Sequence, residues 1–376
     1  MFASLLLFQG KRINLLEGGH WLFVTFVVVK YNKNELIYIC SILFRLIITR
    51  WFLMNDIRKV QQTPTGTFFV CLPRDWAREH GLHKGSQVNL DVTSDGKLFV
   101  DTQFDVEPEP KIASLIVGPY LNREIVGRYL LGYDIIRIEA KDRIDSTVRT
   151  LVKSTVNSLA GLMIVEETTS MMTLQCLMQQ PFTSPEKILQ RNNASAARMI
   201  RDAASSFVNL DMDLAKNVIE RDVENNKFYF LLVRILRTII QNPRLSEKLA
   251  ITPIECLNYR LASSLIEGIG DACVQLASNT LELDGTRVSD ELRKLLLELQ
   301  SACCEANEQA FKSFLSKDIS QAENVRLLKE KIEDICSRIE SAAKDSSVDL
   351  MPQILAAVSF LRQIYERSVD MADLVA

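Results

Sequence analysis

Apolar positions divide this chain into stretches of different period. From residue 181 onward they recur at helical spacing in six runs, about 186–208, 211–241, 254–282, 288–316, 318–343 and 350–373. The punctuation agrees: Asp211 and Asp318 suit N-caps, Thr252-Pro253 opens the third run, Pro243 follows the second, and Pro352 lies in the first turn of the sixth. Six amphipathic helices in two sets of three imply an internal repeat. Residues 111–180 alternate instead, with strands expected at 111–117, 133–140, 163–167 and 171–178 and helices at 121–131 and 144–159. That order, β-α-β-α-β-β, fits a small α/β domain serving as a connector or sensor. Residues 54–106 read strand, turn, strand, short helix, strand, turn, strand, with turn signals at Pro64–Gly66 and Ser94–Gly96. Pro73 opens the short helix and Gly81 closes it. A segment of this size buries little by itself, so it is expected to dimerise.

Residues 1–53 differ from everything after them. Two apolar runs, WLFVTFVVV and LIYICSILF, are interrupted by Lys30, Lys33, Arg45 and Arg50. A spanning helix needs about 20 mostly apolar residues, so no stable membrane span is expected. Three readings stand: an anchor, a β-rich extension, or an apolar extension outside the natural protein, with Met54 the true start. The last is preferred, because a recognisable domain begins directly after Met54.

The third helical run, NYRLASSLIEGIGDACVQLASNTL (258–281), organises the rest. Leu261, Leu265, Ile269 and Leu276 fall near one apolar stripe. Glu267 and Asp271 stand four apart, so they share a face and repel each other by a few tenths of a kcal/mol. Glu366 and Asp370 repeat the spacing near the end of the chain. Such pairs are common on solvated helix faces, but two copies at matching places point to cations between carboxylates. Gly268 and Gly270 each cost about 1 kcal/mol in a helix interior, so close packing should offset them.

Composition narrows the function. Charged residues make up 24% and apolar residues 47% of 376, as in a soluble globular protein. A net charge of -3 excludes a globally basic nucleic-acid binder, though not a local basic face. The eight cysteines form no C-x-x-C pair, which fits reduced thiols in the cytoplasm. With three histidines, no Ser-His-Asp order and no phosphate-binding glycine loop, the chain is not expected to be an enzyme. A metal-dependent hydrolase would need an acid, base or anion-binding element that the sequence lacks.

Two resemblances follow from quoted residues. LPRDWAREHGLHKGSQVNL, preceded by RKV and followed by DGKLFV, resembles the AbrB/SpoVT swapped-hairpin domain. That resemblance implies interleaved hairpins of two protomers, with DNA phosphates met by Arg58, Lys59, Arg74 and Arg78. Asp56, Asp75, Glu79, Asp91 and Asp95 offset this basic character, and such domains also serve purely for dimerisation. VIERDVENNKFYFLLVR, NYRLASSLIEGIGDACVQLA and LRQIYERSVDMADLV resemble the PhoU family of phosphate-uptake regulators, built from two three-helix bundles. Family members carry E/D-x-x-x-D on the last helix of each bundle. The resemblance implies metal ligation by Glu267 and Asp271, joined by Asp222, and by Glu366 and Asp370. Asn226 departs from the family, which often has a second aspartate there. Oxygen ligands favour Mg²⁺, Mn²⁺ or iron. Cys273, beside the acidic pair, reads as a buried thiol, Trp76 as a packing residue, and Leu292, Leu295, Leu296 and Leu299 as core.

The expected fold is therefore multidomain α+β. It comprises the apolar extension (1–53), an AbrB-like swapped-hairpin β domain (54–106), a small α/β middle domain (111–180) and a PhoU-like all-α domain of two three-helix bundles (185–376). The expected function is a cytoplasmic, DNA-binding, metal-linked regulator of phosphate uptake, a homodimer or higher homo-oligomer. The expected partners are DNA and a phosphate transporter or its signalling kinase. The alternative is an interaction protein that dimerises through the AbrB-like domain and docks on such a transporter or signalling partner without binding DNA.

Overall fold

The computed structural model describes residues 9–17, 20–31, 34–38, 57–92, 96–102, 109–177, 184–283, 285 and 287–375. The chain divides into two compact units, residues 1–106 and 107–376.

In the first unit, β1 (Gln9–Glu17), β2 (His20–Tyr31) and β3 (Asn34–Tyr38) form an antiparallel sheet in the order β1-β2-β3. The described part of the apolar extension is therefore strand. Met54, the expected natural start, lies outside the described residues. Two short hairpins follow. β4 (Gln61–Gln62) pairs with β5 (Phe68–Phe69) around Gly66, whose φ of 92° needs glycine. β6 (Asn89–Val92) pairs with β7 (Leu98–Asp101); of their turn, 93–95 lie outside the described residues. Between the hairpins sits α1 (Arg74–Glu79), entered from Pro73 and left through Gly81 at φ 64°. Among residues 57–102 no described side chain is buried. Phe68 is 69% exposed and Leu98 58%. Trp76 is half-buried and tilts on His80, ring centroids 4.6 Å apart.

The second unit begins with β8 (Ile112–Ile116), α2 (Leu121–Leu130), β9 (Ile135–Glu139), α3 (Ser146–Asn157), β10 (Leu162–Glu167) and β11 (Met171–Cys176). The sheet order is β10-β11-β9-β8, with β8 and β9 parallel and the other pairs antiparallel. Alternation buries Leu115, Ile136, Ile138 and Leu174, which meet Leu121, Ile125 and Tyr129 of α2 and Val152 of α3. The Asp145 carboxylate caps α3 through the Val148 amide at 2.8 Å.

Seven helices follow: α4 (Pro185–Asn209), α5 (Met212–Gln241), α6 (Pro243–Leu249), α7 (Pro253–Leu281), α8 (Asp290–Ser316), α9 (Ile319–Ala343) and α10 (Leu350–Ala372). Ser184, Asp211, Thr252, Ser289 and Asp318 each cap a long helix through a side-chain oxygen. At Thr252 the cap is reciprocal, because Glu255 returns its carboxylate to the Thr252 amide. Helices α4, α5 and α7 pack as one bundle and α8, α9 and α10 as another, while α4 packs on α8 and α7 on α10, so one core runs through both. The 292–299 leucines lie in that core.

One expectation needs correction. Leu261 does not belong to the buried stripe of α7; it is 45% exposed. The buried positions are Ala262, Ile266, Ile269, Cys273 and Leu276. Their alternating steps of four and three stay on one face, whereas successive steps of four drift around the axis. Pro243 follows the end of α5, as expected, and also opens the next helix. It is the first residue of α6, capped by the Asn242 side chain.

Helix α5 ties the sheet to the bundle. Its Phe230 packs on the α/β core. Arg234, 7% exposed, donates to the Tyr129 carbonyl at 2.6 Å, the Tyr133 carbonyl at 3.0 Å and Asp134 Oδ1 at 3.4 Å. Its guanidinium also lies 5.0 Å from the Tyr129 ring centroid.

Candidate functional site

The antiparallel helices α5 and α7 bring an acidic cluster together. Asp222, Asn225 and Asn226 come from α5, and Glu267 and Asp271 from α7. Gly270 lets the helices close here: a methyl in its place would stand 3.2 Å from both Asn225 Nδ2 and Asp222 Oδ1. Asn225 is fully buried and donates to the Met199 sulfur at 3.0 Å, but its Oδ1 has no partner. Asp222 accepts from the Asn226 amide at 2.8 Å through Oδ2, while its buried Oδ1 is also without a partner. Two orphaned acceptor oxygens beside a cluster of carboxylates form a cradle for a donor or a cation.

The carboxylates feel one another. Burial raises the Asp222 pKa, Asp271 adds to the rise, and the Asn226 hydrogen bond opposes it. Burial likewise raises Glu267, followed by the charges of Asp271 and Asp222, while Arg260 and Arg367 oppose the rise. Both arginines are held. Arg260 donates to the Tyr229 hydroxyl at 2.5 Å and lies over that ring at 4.8 Å. Arg367 comes from α10 and occupies the space left free by Gly268.

The site thus contains three carboxylates, two orphaned oxygens and two flanking guanidinium groups. Its hard oxygen donors suit Mg²⁺, Mn²⁺ or iron. As the side chains stand, however, no group of three or more His, Cys, Asp or Glu among the described residues is spaced to hold a metal ion. The second pair, Glu366 and Asp370, is exposed and gains no third carboxylate of its own. Cys273 is fully buried, and desolvation drives its thiol pKa well upward, so it is a core residue. In the first unit Arg58, Lys59, Arg74 and Arg78 are all exposed, the last two one turn apart on α1.

Sequence reasoning missed Asn225, Arg260 and Arg367. A signal existed for Arg260, two helical turns before Glu267. Arg367 lies far along the chain, and only the two costly glycines hinted at a close neighbour.

A family model described as the PhoU domain matches residues 191–280, from within α4 almost to the end of α7. All of Asp222, Asn225, Glu267 and Asp271 fall inside that match. PhoU from Pseudomonas aeruginosa is similar over 51% of this chain and 93% of its own, at 17% identity and a TM-score of 0.45. The phosphate transport system regulatory protein PhoU from Streptococcus pneumoniae is similar over 51% and 91%, at 14% identity and a TM-score of 0.44. No curated protein matches the chain. No helix among the described residues is long and apolar enough to cross a membrane.

Proposed function

We propose that the chain is a non-enzymatic, cytoplasmic regulator of phosphate uptake whose sensing element is the α5–α7 cluster. The observation that carries this reading is the PhoU-domain match over the helices that hold Asp222, Glu267 and Asp271. Asp222, Glu267 and Asp271 are the residues that would hold a hard divalent or trivalent cation, with Glu366 and Asp370 a weaker second pair. The orphaned oxygens of Asp222 and Asn225 support an electron-poor occupant. The cation would supply positive charge where the chain gathers negative charge; the chain itself sets the cluster's position and holds Arg260 and Arg367 beside it.

The first unit would act through a second copy, because its described residues 57–102 bury no side chain alone. Arg58, Lys59, Arg74 and Arg78 would then meet DNA phosphates. The alternative, a dimer that docks on a phosphate transporter or signalling partner without DNA, rests on the same exposure.

Metal content by plasma mass spectrometry, on the full chain and on Glu267→Ala plus Asp271→Ala, tests the sensing element. Stoichiometric magnesium, manganese or iron that disappears in the double variant is expected. A metal-free protein that also fails to take up these ions on dialysis would overturn the metal-linked reading. DNA retention with a steep salt dependence, weakened by Arg74→Ala plus Arg78→Ala, separates the DNA-binding form from the docking form.

A further inference from the structure

A second charged site lies elsewhere in the first bundle. Between α4 and α5 a pocket of about 410 Å³ is lined by Arg191, Ser195, Arg198, Arg221, Glu224 and Phe228. Its three guanidinium groups are not equivalent. Arg221 is fixed by Asp202 at 2.6 Å. Glu224, the one carboxylate of the lining, is engaged by Lys227 at 2.8 Å. Arg191 and Arg198 are exposed and enter no ion pair or hydrogen bond among the described residues. Arginine presents a planar fork that matches phosphate oxygens two at a time, so two free forks beside a fixed one form an anion receptor.

The spacing narrows the ligand. Arg191 and Arg198 stand seven residues apart on α4, which is two turns on one face and about 10.5 Å along the axis. A single tetrahedral anion covers little of that distance. A ligand with two linked phosphoryl groups spans more of that distance, and the pocket has the volume for it. Phe228, half-buried in the lining, adds an aromatic face against which a planar base would stack.

We propose that this pocket binds an oligophosphate, either free or as part of a nucleotide. The inference does not depend on the acidic cluster. The free arginines, the volume and the aromatic ring carry it.

Calorimetric titration of the full chain with pyrophosphate, ADP and inorganic phosphate tests it, with Arg191→Ala plus Arg198→Ala as the variant. Both residues are exposed, so the variant should melt like the parent, and circular dichroism checks this. Pyrophosphate or ADP should bind at least tenfold more tightly than inorganic phosphate, and the double variant should lose at least tenfold. Equal affinity for pyrophosphate and ADP would assign a free oligophosphate. Tighter ADP binding that Phe228→Leu abolishes would assign a nucleotide. Absence of binding by both oligophosphates, inorganic phosphate binding as tightly as they do, or full binding by the double variant would each overturn the proposal.

Discussion

The guanidinium of Arg367 lies where a side chain at Gly268 would be. A methyl at position 268 would overlap its Nε and stand 3.1 Å from its Cδ. Gly268 therefore works as a socket on α7 for an arginine from α10, and it sets a positive charge beside Glu267. Gly268→Ala gains about 1 kcal/mol of helix propensity but pushes a flexible side chain aside. The expected net change in stability is within about 1 kcal/mol of zero, read by urea unfolding. The electrostatics change as well: with Arg367 displaced, the Glu267 pKa rises further. Carboxyl NMR titration of the two proteins checks it.

Gly270→Ala should behave differently. Its methyl would meet Asn225 and Asp222 at 3.2 Å, and Asn225 is fully buried between helices. Overpacking of this kind costs about 1–3 kcal/mol, which exceeds the propensity gain. A lower urea midpoint than for Gly268→Ala is expected from the same measurement.

Two pH windows separate two ionic features. Burial and neighbouring carboxylates raise Glu267 and Asp222, so the folded chain holds their protons more tightly than the unfolded chain does. Their contribution is favourable while they are protonated and is lost as pH rises above the ordinary carboxylate range. With a chelator present, Glu267→Gln should remove part of that decline and gain a few tenths of a kcal/mol near neutrality. Glu255 has the opposite sign. Bonds from the Thr252 backbone and from Lys317 lower its pKa to about 2. Its stabilising effect is complete above the ordinary glutamate range and is lost as pH falls toward about 2. Glu255→Ala should cost about 1 kcal/mol at neutral pH and flatten the acid limb of a Tm-against-pH curve.

Arg234 clamps two modules. It supplies donors to the Tyr129 and Tyr133 carbonyls at the C-terminal end of α2, where a cation also suits the helix dipole. Arg234→Ala leaves the part-buried Tyr133 carbonyl without this donor and removes the guanidinium from the Tyr129 ring. A loss of about 2–4 kcal/mol is expected. Arg234→Lys should recover less than half, because an ammonium cannot reproduce the fork. Hydrogen exchange of α2 and β9 amides, accelerating while α8–α10 stay protected, would localise the effect. Uniform acceleration would place the loss elsewhere.

The helices were legible because their ends are written locally. Asp211, Thr252-Pro253 and Asp318 need only the next turn to act as caps. The sheet order was not written locally, since β11 inserts between β9 and β10 through contacts distant in sequence. The acidic residues Asp222, Glu267 and Asp271 were legible as a group, because spacing places Glu267 and Asp271 on one face and the family resemblance adds Asp222. What flanks them was not. Arg367 reaches Glu267 across the space between bundles, and no local period encodes that. Arg234 reads as a surface charge within FLLVRILR, although an arginine amid so many apolar residues is itself a sign of a buried partner.

The first unit leaves large apolar side chains uncovered. Its two hairpins leave Phe68, Val92 and Leu98 at 69%, 71% and 58% exposed. Scattered apolar residues on a surface are ordinary, but a folded segment with no buried side chain among its described residues 57–102 shows no core of its own there. Burial against a second copy supplies about 25 cal/mol for each Å² of apolar surface covered, so folding and association should occur together. Melting of the full chain should therefore show a transition whose midpoint rises with protein concentration, while the helical core melts independently of concentration. Phe68→Asp plus Leu98→Asp puts two charges where the partner's apolar surface would close. It should leave the chain monomeric in analytical ultracentrifugation, where the parent associates, and abolish the concentration-dependent transition, leaving the helical transition in place. A sedimentation coefficient unchanged by both substitutions would mean that these hairpins are not the dimer seam.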